Sequence, residues 1–357
     1  MKRLILILLL LAAVLSMILA GFYSESKQDS PKSEFPTTRG IYYWRTTFNV
    51  SDQEQTFLTQ HDVQRLYLHL FDIEVTQRNF WENPSPQPVA TILFKDTANL
   101  QTTMDCVKEC TPVVFITLDA LKMMSDHETD YAQKTTQRIL NMCSYHGFAD
   151  KVHEVQIDCD WTSNTEDSYF KLLEHVQRLL HEHNLKLSVT IRLHQLRRSI
   201  PPVDKGVLMV YNTGSIRKPE TENSILSYDD AAPYLTHYRY NLPLDYAFPT
   251  FGWGVWFRDN KFMAILHRTN YLDTSHFKQI DGTHYQVVTN CEIEGHFLKK
   301  GDIIRHETSE FATIENLKEV LPFDEGQTII LYHLDENNLK NYSGNEIETL
   351  YTLPCAQ

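Results

Sequence analysis

Short runs of apolar, β-branched and aromatic residues recur along this chain, separated by stretches in which apolar positions return every three to four residues. That alternation is what a parallel α/β architecture requires. Eight runs predict strands, at residues 40–45, 65–72, 113–119, 153–158, 186–192, 207–212, 245–250 and 328–333. Several are continuously apolar, as expected for strands covered on both faces. Between them, Phe170, Leu172, Leu173, Val176, Leu179 and Leu180 follow helical spacing and predict a helix over 168–183, with weaker patterns at 131–145, 229–240 and 314–321. The expected fold is a (β/α)8 TIM barrel, with a doubly wound open sheet as the alternative. A long segment at about 251–327 separates the seventh and eighth strands. Its Asp281-Gly282 and Lys300-Gly301 turns predict a small β-rich insertion over the barrel mouth. No internal repeat or low-complexity tract stands out.

The first residues follow a different pattern. Lys2 and Arg3 precede an uncharged run to about Tyr23, which reads as the basic and apolar regions of a secretory signal. The run is long enough to span a bilayer, so residues 1–23 predict either a cleaved signal peptide or an anchor in the inner membrane through residues 4–23. The expected protein is exported, periplasmic or at the cell surface, and touches membrane only through this segment. In Leu19-Ala20-Gly21, Phe22 stands where a lipoprotein signal needs cysteine, which excludes lipidation there. Residues 24–38, rich in Ser, Lys and Pro, predict a flexible linker, leaving 39–357 as one domain and a monomer.

Composition narrows the partners. A formal charge of −13 argues against nucleic acid. The 18 Tyr, 18 Phe and 5 Trp suit a glycan or glycoconjugate, though the same residues fill cores. No Gly-rich or Walker-type phosphate loop follows a strand, so no cofactor is expected. His181 and His183 are two apart on a helix and face different ways, so no metal is expected either. Cys106 and Cys110 are spaced to pair or to share a helical turn, whereas Cys143, Cys159, Cys291 and Cys355 are scattered.

Candidate chemistry gathers at predicted strand ends. Residues 155–162 read Val-Gln-Ile-Asp-Cys-Asp-Trp-Thr. Carboxylates two apart on a strand share a face, so Asp158 and Asp160 are expected to point together into the barrel mouth, where like charges raise one pKa. A structural pair holding the strand end is the plainer alternative. Asp72 and Glu74 follow the second strand, Asp119 the third, Arg192 and His194 the fifth, and His333, Asp335 and Glu336 the eighth. Asp158, Asp160, Asp119 and Glu74 are the candidate catalytic carboxyls. Tyr211, Asn212, Trp253, Trp44, Arg192 and Gln156 are the candidate substrate contacts.

This fourth-strand segment resembles the family-18 glycoside hydrolases, the chitinase group, whose strand ends Asp-Gly-Ile-Asp-Ile-Asp-Trp-Glu. Ile157, Asp158, Asp160 and Trp161 match; Val155 replaces the first aspartate, and Thr162 replaces the glutamate that protonates the glycosidic oxygen. Threonine cannot act as that acid. Met209-Val210-Tyr211-Asn212 similarly resembles the family's Met-x-Tyr-Asp, with Asn212 in place of the aspartate. The region from about 40 to 254 also resembles a bacterial family of unknown function, number 3142 in the domain-of-unknown-function series. That resemblance rests on Tyr42-Tyr43-Trp44, on Gln156 to Asp160 and on Leu187-Ser188-Val189-Thr190. These resemblances imply a carbohydrate-active barrel, either a glycoside hydrolase-like enzyme with a non-standard acid or a glycan-binding or envelope scaffold protein without turnover. A third alternative, an anchored module that holds a protein partner on its β-rich insertion, has no residue signal.

Overall fold

A computed structural model describes residues 37–77, 82–236, 238–323 and 326–352. The predicted signal or anchor segment and nearly all of the predicted linker lie outside these residues, as does Cys355. Eight parallel strands form the body: β1 (Thr38–Tyr43), β2 (Arg65–Thr76), β3 (Glu109–Ile116), β4 (Glu154–Asp158), β5 (Lys186–Arg192), β6 (Lys205–Met209), β7 (Leu244–Pro249) and β8 (Thr328–Tyr332). Each pairs with the next, and β1 pairs with both β2 and β8. The sheet is therefore closed, a (β/α)8 barrel, and the open-sheet alternative is overturned.

Closure divides the apolar residues into two cores. Tyr42, Tyr67, Val113, Val207, Met209, Ala247 and Ile330 fill the barrel interior. A larger cluster, including Ile41, Leu66, Leu68, Val114, Ile157 and Val189, packs the outer strand faces against the helices. The helix predicted over 168–183 runs Glu166–His181 and buries Tyr169, Leu172, Leu173, Val176 and Leu180 on the wall. The pattern predicted over 229–240 yields only Tyr228–Leu235, because Thr236 turns to extended backbone.

Strand β3 starts and stops earlier than the apolar run suggests. It pairs with β2 from Glu109, and it ends at Ile116 because Thr117 accepts the Ala120 N–H and caps a short helix, Leu118–Met123. Cys106 closes the helix Thr97–Cys106, while Cys110 is buried within β3, and both are free thiols rather than a bridge. Cys143, Cys159 and Cys291 are also free.

After β7 the chain builds a five-stranded antiparallel sheet in the order Lys261–Leu266, Gly252–Arg258, Ile303–Thr308, His284–Val287, Phe277–Gln279. Its own small core contains Trp256, Leu266, Phe277, Val287, Leu298 and Ile304. Gly254 lets the first of these strands pass the Tyr271 side chain, since a Cβ there would lie 2.1 Å from its hydroxyl. The β-rich part ends at Thr308; the following helix, Phe311–Lys318, buries Ile314 and Leu317 in the barrel's outer core. Among the described residues no helix is long and apolar enough to cross a membrane.

Candidate active site at the barrel mouth

One cavity of about 1010 Å³ opens on the carboxyl-terminal side of the barrel, bordered by residues on or just after each of the eight strands, the usual site of function in this architecture. Asp158 closes β4 and is buried, its side chain 6% exposed. Thr190 on β5 donates to its Oδ1 at 2.5 Å, and the Arg192 guanidinium stands 3.6 Å away. Burial pushes the Asp158 carboxyl above the usual range; Arg192 opposes this, and Asp160 adds to it. Asp160 lies two residues past the end of β4, so strand alternation no longer governs it. Its side chain is 51% exposed and accepts from Arg192 Nε at 2.5 Å. The two carboxylates are therefore unlike: one dry, one wet, with a single guanidinium between them.

Aromatic rings line the same cavity. Trp44, Tyr211, Phe251, Trp253 and Tyr332 all border it, with Tyr211 and Tyr332 centroids 5.4 Å apart and Phe251 and Trp253 5.1 Å apart. The Trp253 indole N–H donates to Glu307 Oε2 at 2.7 Å. Glu307 is itself buried and takes further bonds from Arg305 Nε and the Ser224 hydroxyl, so the indole plane is fixed from behind. Tyr211 donates to Met209 Sδ at 3.1 Å, a weak acceptor that leaves the hydroxyl free to turn toward a better one. Asn212, at φ 56°, borders the cavity beside it. The insertion contributes His267, Arg268, Thr269 and Asn270, and the segment after β8 contributes His333, Asp335, Asn337 and Asn338.

Three sequence candidates stand elsewhere. Asp119 sits on the short helix after β3, 80% exposed and 3.0 Å from Lys122, because the strand stops before it. Glu74 lies where β2 runs past the barrel rim as an arm, opposite Gln87 of the antiparallel strand Ser85–Val89, and does not line the cavity. Gln156 is buried inside the barrel, accepting from Tyr42 Oη at 2.6 Å.

Asp72, one of the strand-end groups expected at the mouth, does reach the cavity, in a pairing that the sequence pattern hid. Asp72 lines it, with Oδ1 2.7 Å from Nε2 of buried His69, and the His69 ring stacks on Trp44 at 4.4 Å. Residues three apart on a strand should face opposite ways. Here β2 carries a bulge: His69 pairs with Val113 and Phe71 with Val114, so Leu70 is the extra residue. Leu66, Leu68, Leu70, Phe71 and Ile73 consequently pack outward, while Tyr67 is in the interior cluster and Asp72 borders the cavity. Among the described residues no group of three or more His, Cys, Asp or Glu side chains is placed to hold a metal ion.

A closed parallel barrel with aromatic and acidic side chains gathered at the carboxyl ends of its strands has the fold of the glycoside hydrolase-like (β/α)8 proteins. The solved structures it resembles include a chitinase from Chromobacterium violaceum, with 10% identity, 88% of this chain and 98% of that one covered, and a TM-score of 0.54. The spore cortex-lytic enzyme SleL of Bacillus cereus matches with 13% identity over 90% of this chain and 75% of that one, at a TM-score of 0.52. A Group IV chitinase of Ostrinia furnacalis in complex with allosamidin matches with 12% identity over 88% and 98%, at 0.51. No protein-family model matches the chain, and no curated protein matches it.

Proposed function

We propose that the chain is an exported carbohydrate-active protein that binds a glycan in the barrel-mouth cavity and cleaves it by glycoside hydrolase-like chemistry. The observation that carries the reading is the pairing, within one cavity, of a fixed aromatic wall with the Asp158–Arg192–Asp160 cluster. Apolar ring faces accept sugar rings, and a few convergent polar groups fix their orientation. Tyr211 donates its hydroxyl to a carbonyl oxygen of the bound sugar. The chitinase and cortex-lytic enzymes among the structural neighbours support the glycan class, and the basic-apolar pattern of residues 1–23 supports export.

A second reading, glycan binding without turnover, is favoured by Thr162. It replaces the expected acid, does not border the cavity, and its backbone N–H is held by Thr165 Oγ1 at 3.0 Å. One screen separates the readings: binding and turnover by the full chain of chitotetraose, cellotetraose and peptidoglycan glycan strands, beside the variant Asp158→Asn/Asp160→Asn. Cleavage abolished in the variant supports the hydrolase. Binding without cleavage leaves a lectin-like protein, and neither binding nor cleavage rejects both readings.

A further inference from the structure

Each carboxylate bordering the cavity already has a basic partner within the protein. Asp72 is met by His69 at 2.7 Å, Asp158 and Asp160 share Arg192, and Asp335 lies 3.4 Å from Arg45, which also holds buried Glu54. Arg268, on the insertion, borders the same cavity and is exposed. Its guanidinium has no hydrogen bond, ion pair or ring contact among the described residues. We propose that Arg268 is the anion-reading residue of this groove and that the glycan bound there carries a carboxylate. This deepens the glycan reading above and rests on it.

The backbone that carries Arg268 is held from outside the cavity. Glu294 accepts the backbone N–H of His267 at 3.0 Å on one carboxylate oxygen and that of Arg268 at 2.6 Å on the other. Glu294 and Gly295 form the turn of the hairpin Cys291–Ile293 and His296–Leu298, at φ 51° and 76°. Both central residues of such a tight turn need positive φ, which suits Asn or Gly and costs other residues conformational energy. The bidentate grip on the loop accounts for glutamate at the first of them. Both of its oxygens are engaged with backbone N–H groups, so Glu294 fixes the loop without ion-pairing the guanidinium beside it. The Arg268 side chain is thus anchored at its base and unpaired at its tip.

A guanidinium presents five N–H donors in a plane that matches the two oxygens of a carboxylate. Such charge-assisted bonds are about twice as strong as neutral ones, so a sugar carboxylate gains more there than the hydroxyl of a neutral glycan. The net charge of −13 repels an acidic ligand at long range. That field is screened over about 8 Å at physiological salt, whereas direct contact with Arg268 is not. Sugar carboxylates occur in uronic acids and in the lactyl ether of muramic acid, and the group common to both is what Arg268 reads.

The test is calorimetry on the full chain with two acidic tetrasaccharides, tetragalacturonate and the peptide-free tetrasaccharide of peptidoglycan strands, beside the carboxyl-reduced form of each and chitotetraose. An acidic form should bind on the order of tenfold or more tighter than its reduced counterpart, and the sugar that shows this preference identifies the source of the carboxylate. The preference should shrink as salt rises from about 0.05 to about 0.5 M. Arg268→Gln should erase it, and Arg268→Lys should keep part of it, because an ammonium retains the charge without the planar fork. Arg268 is exposed, so neither exchange touches the core. Glu294→Ala should weaken the preference although it removes a negative charge. Simple repulsion predicts the opposite sign, so a strengthened preference would overturn the positioning role of Glu294. Reduced forms or chitotetraose bound at least as tightly as the acidic ones, or a preference that survives Arg268→Gln, would overturn the proposal and leave the glycan reading standing. Binding of none of these glycans would overturn both.

Discussion

Glu154 and Asp158 open and close the same strand, β4, and both are buried carboxylates pushed above the usual range by burial and faced by an arginine from another strand, Arg65 of β2 and Arg192 of β5. At the amino end, Glu154 accepts from Ser188 Oγ at 2.6 Å and lies 3.3 Å from Arg65, which also reaches Glu109 at 2.5 Å. Lys205 and Asp245 pair beside them at 2.6 Å. Charge there is met by charge and by side-chain hydroxyls, so the network holds strands in register. At the carboxyl end, the same kind of pair faces a cavity of about 1010 Å³. The amino-end pair borders a smaller cavity of about 570 Å³ that no Phe, Tyr or Trp ring lines, so the two ends differ in the aromatic wall beside the charges rather than in the charges themselves.

The largest effect that would break this contrast is on stability. Arg65→Met strands Glu154 in a buried site and should cost about 3–5 kcal/mol, with glycan binding unchanged. Arg192→Met leaves half-exposed Asp160 to solvent and buried Asp158 to the Thr190 hydroxyl at the floor of an open cavity, and should cost less than half of that and abolish glycan binding. Chemical denaturation of both variants checks the pair; equal stability losses would show that the two ends do the same work.

Acid sharpens the contrast next. Burial holds the His333 imidazole at the cavity edge down at about 4, with Asp335 opposing and Arg45 and His267 adding to the shift. The unfolded chain takes up a proton near 6.5 that the folded chain refuses, so stability rises with pH across this window and is lost as pH falls from 6.5 toward 4. The loss at the acid end is about 3 kcal/mol. His333→Asn should flatten that dependence in denaturation curves taken between these limits, and an unchanged slope would show that His333 titrates like a solvent-exposed histidine.

Smaller effects follow. Trp253→Ala leaves Glu307 bonded to Arg305 and Ser224, so calorimetry should show glycan affinity down about tenfold, or ~1.4 kcal/mol, with little change in fold. Asp119→Asn, outside both ends, should change stability by less than about 0.5 kcal/mol and leave binding untouched. A larger change in either quantity would bring the helix after β3 back into the site.

How much of this was legible depends on the range of the interactions. Period-two and helical spacing are local, and they located all eight strands and the helix Glu166–His181 to within a few residues. The motif at 155–162 placed Asp158 and Asp160 at one strand end, and Tyr211, Trp44, Trp253, Asn212 and Arg192 were read onto the same mouth, where the structure gathers them. Asp119 and Glu74 were misplaced because a strand's last residue is fixed by a cap and by an antiparallel neighbour, not by its own hydropathy. Asp72 and His69 became partners through a one-residue slip against β3, and such a slip depends on the neighbouring strand. Which insertion residues reach the cavity was likewise set by how the sheet from Gly252 to Thr308 folds back over the mouth. The sequence by itself determined the elements and their order; only the tertiary structure decided which side chains share a space, because register, closure and the space left at each end of the barrel depend on contacts between residues far apart in the chain.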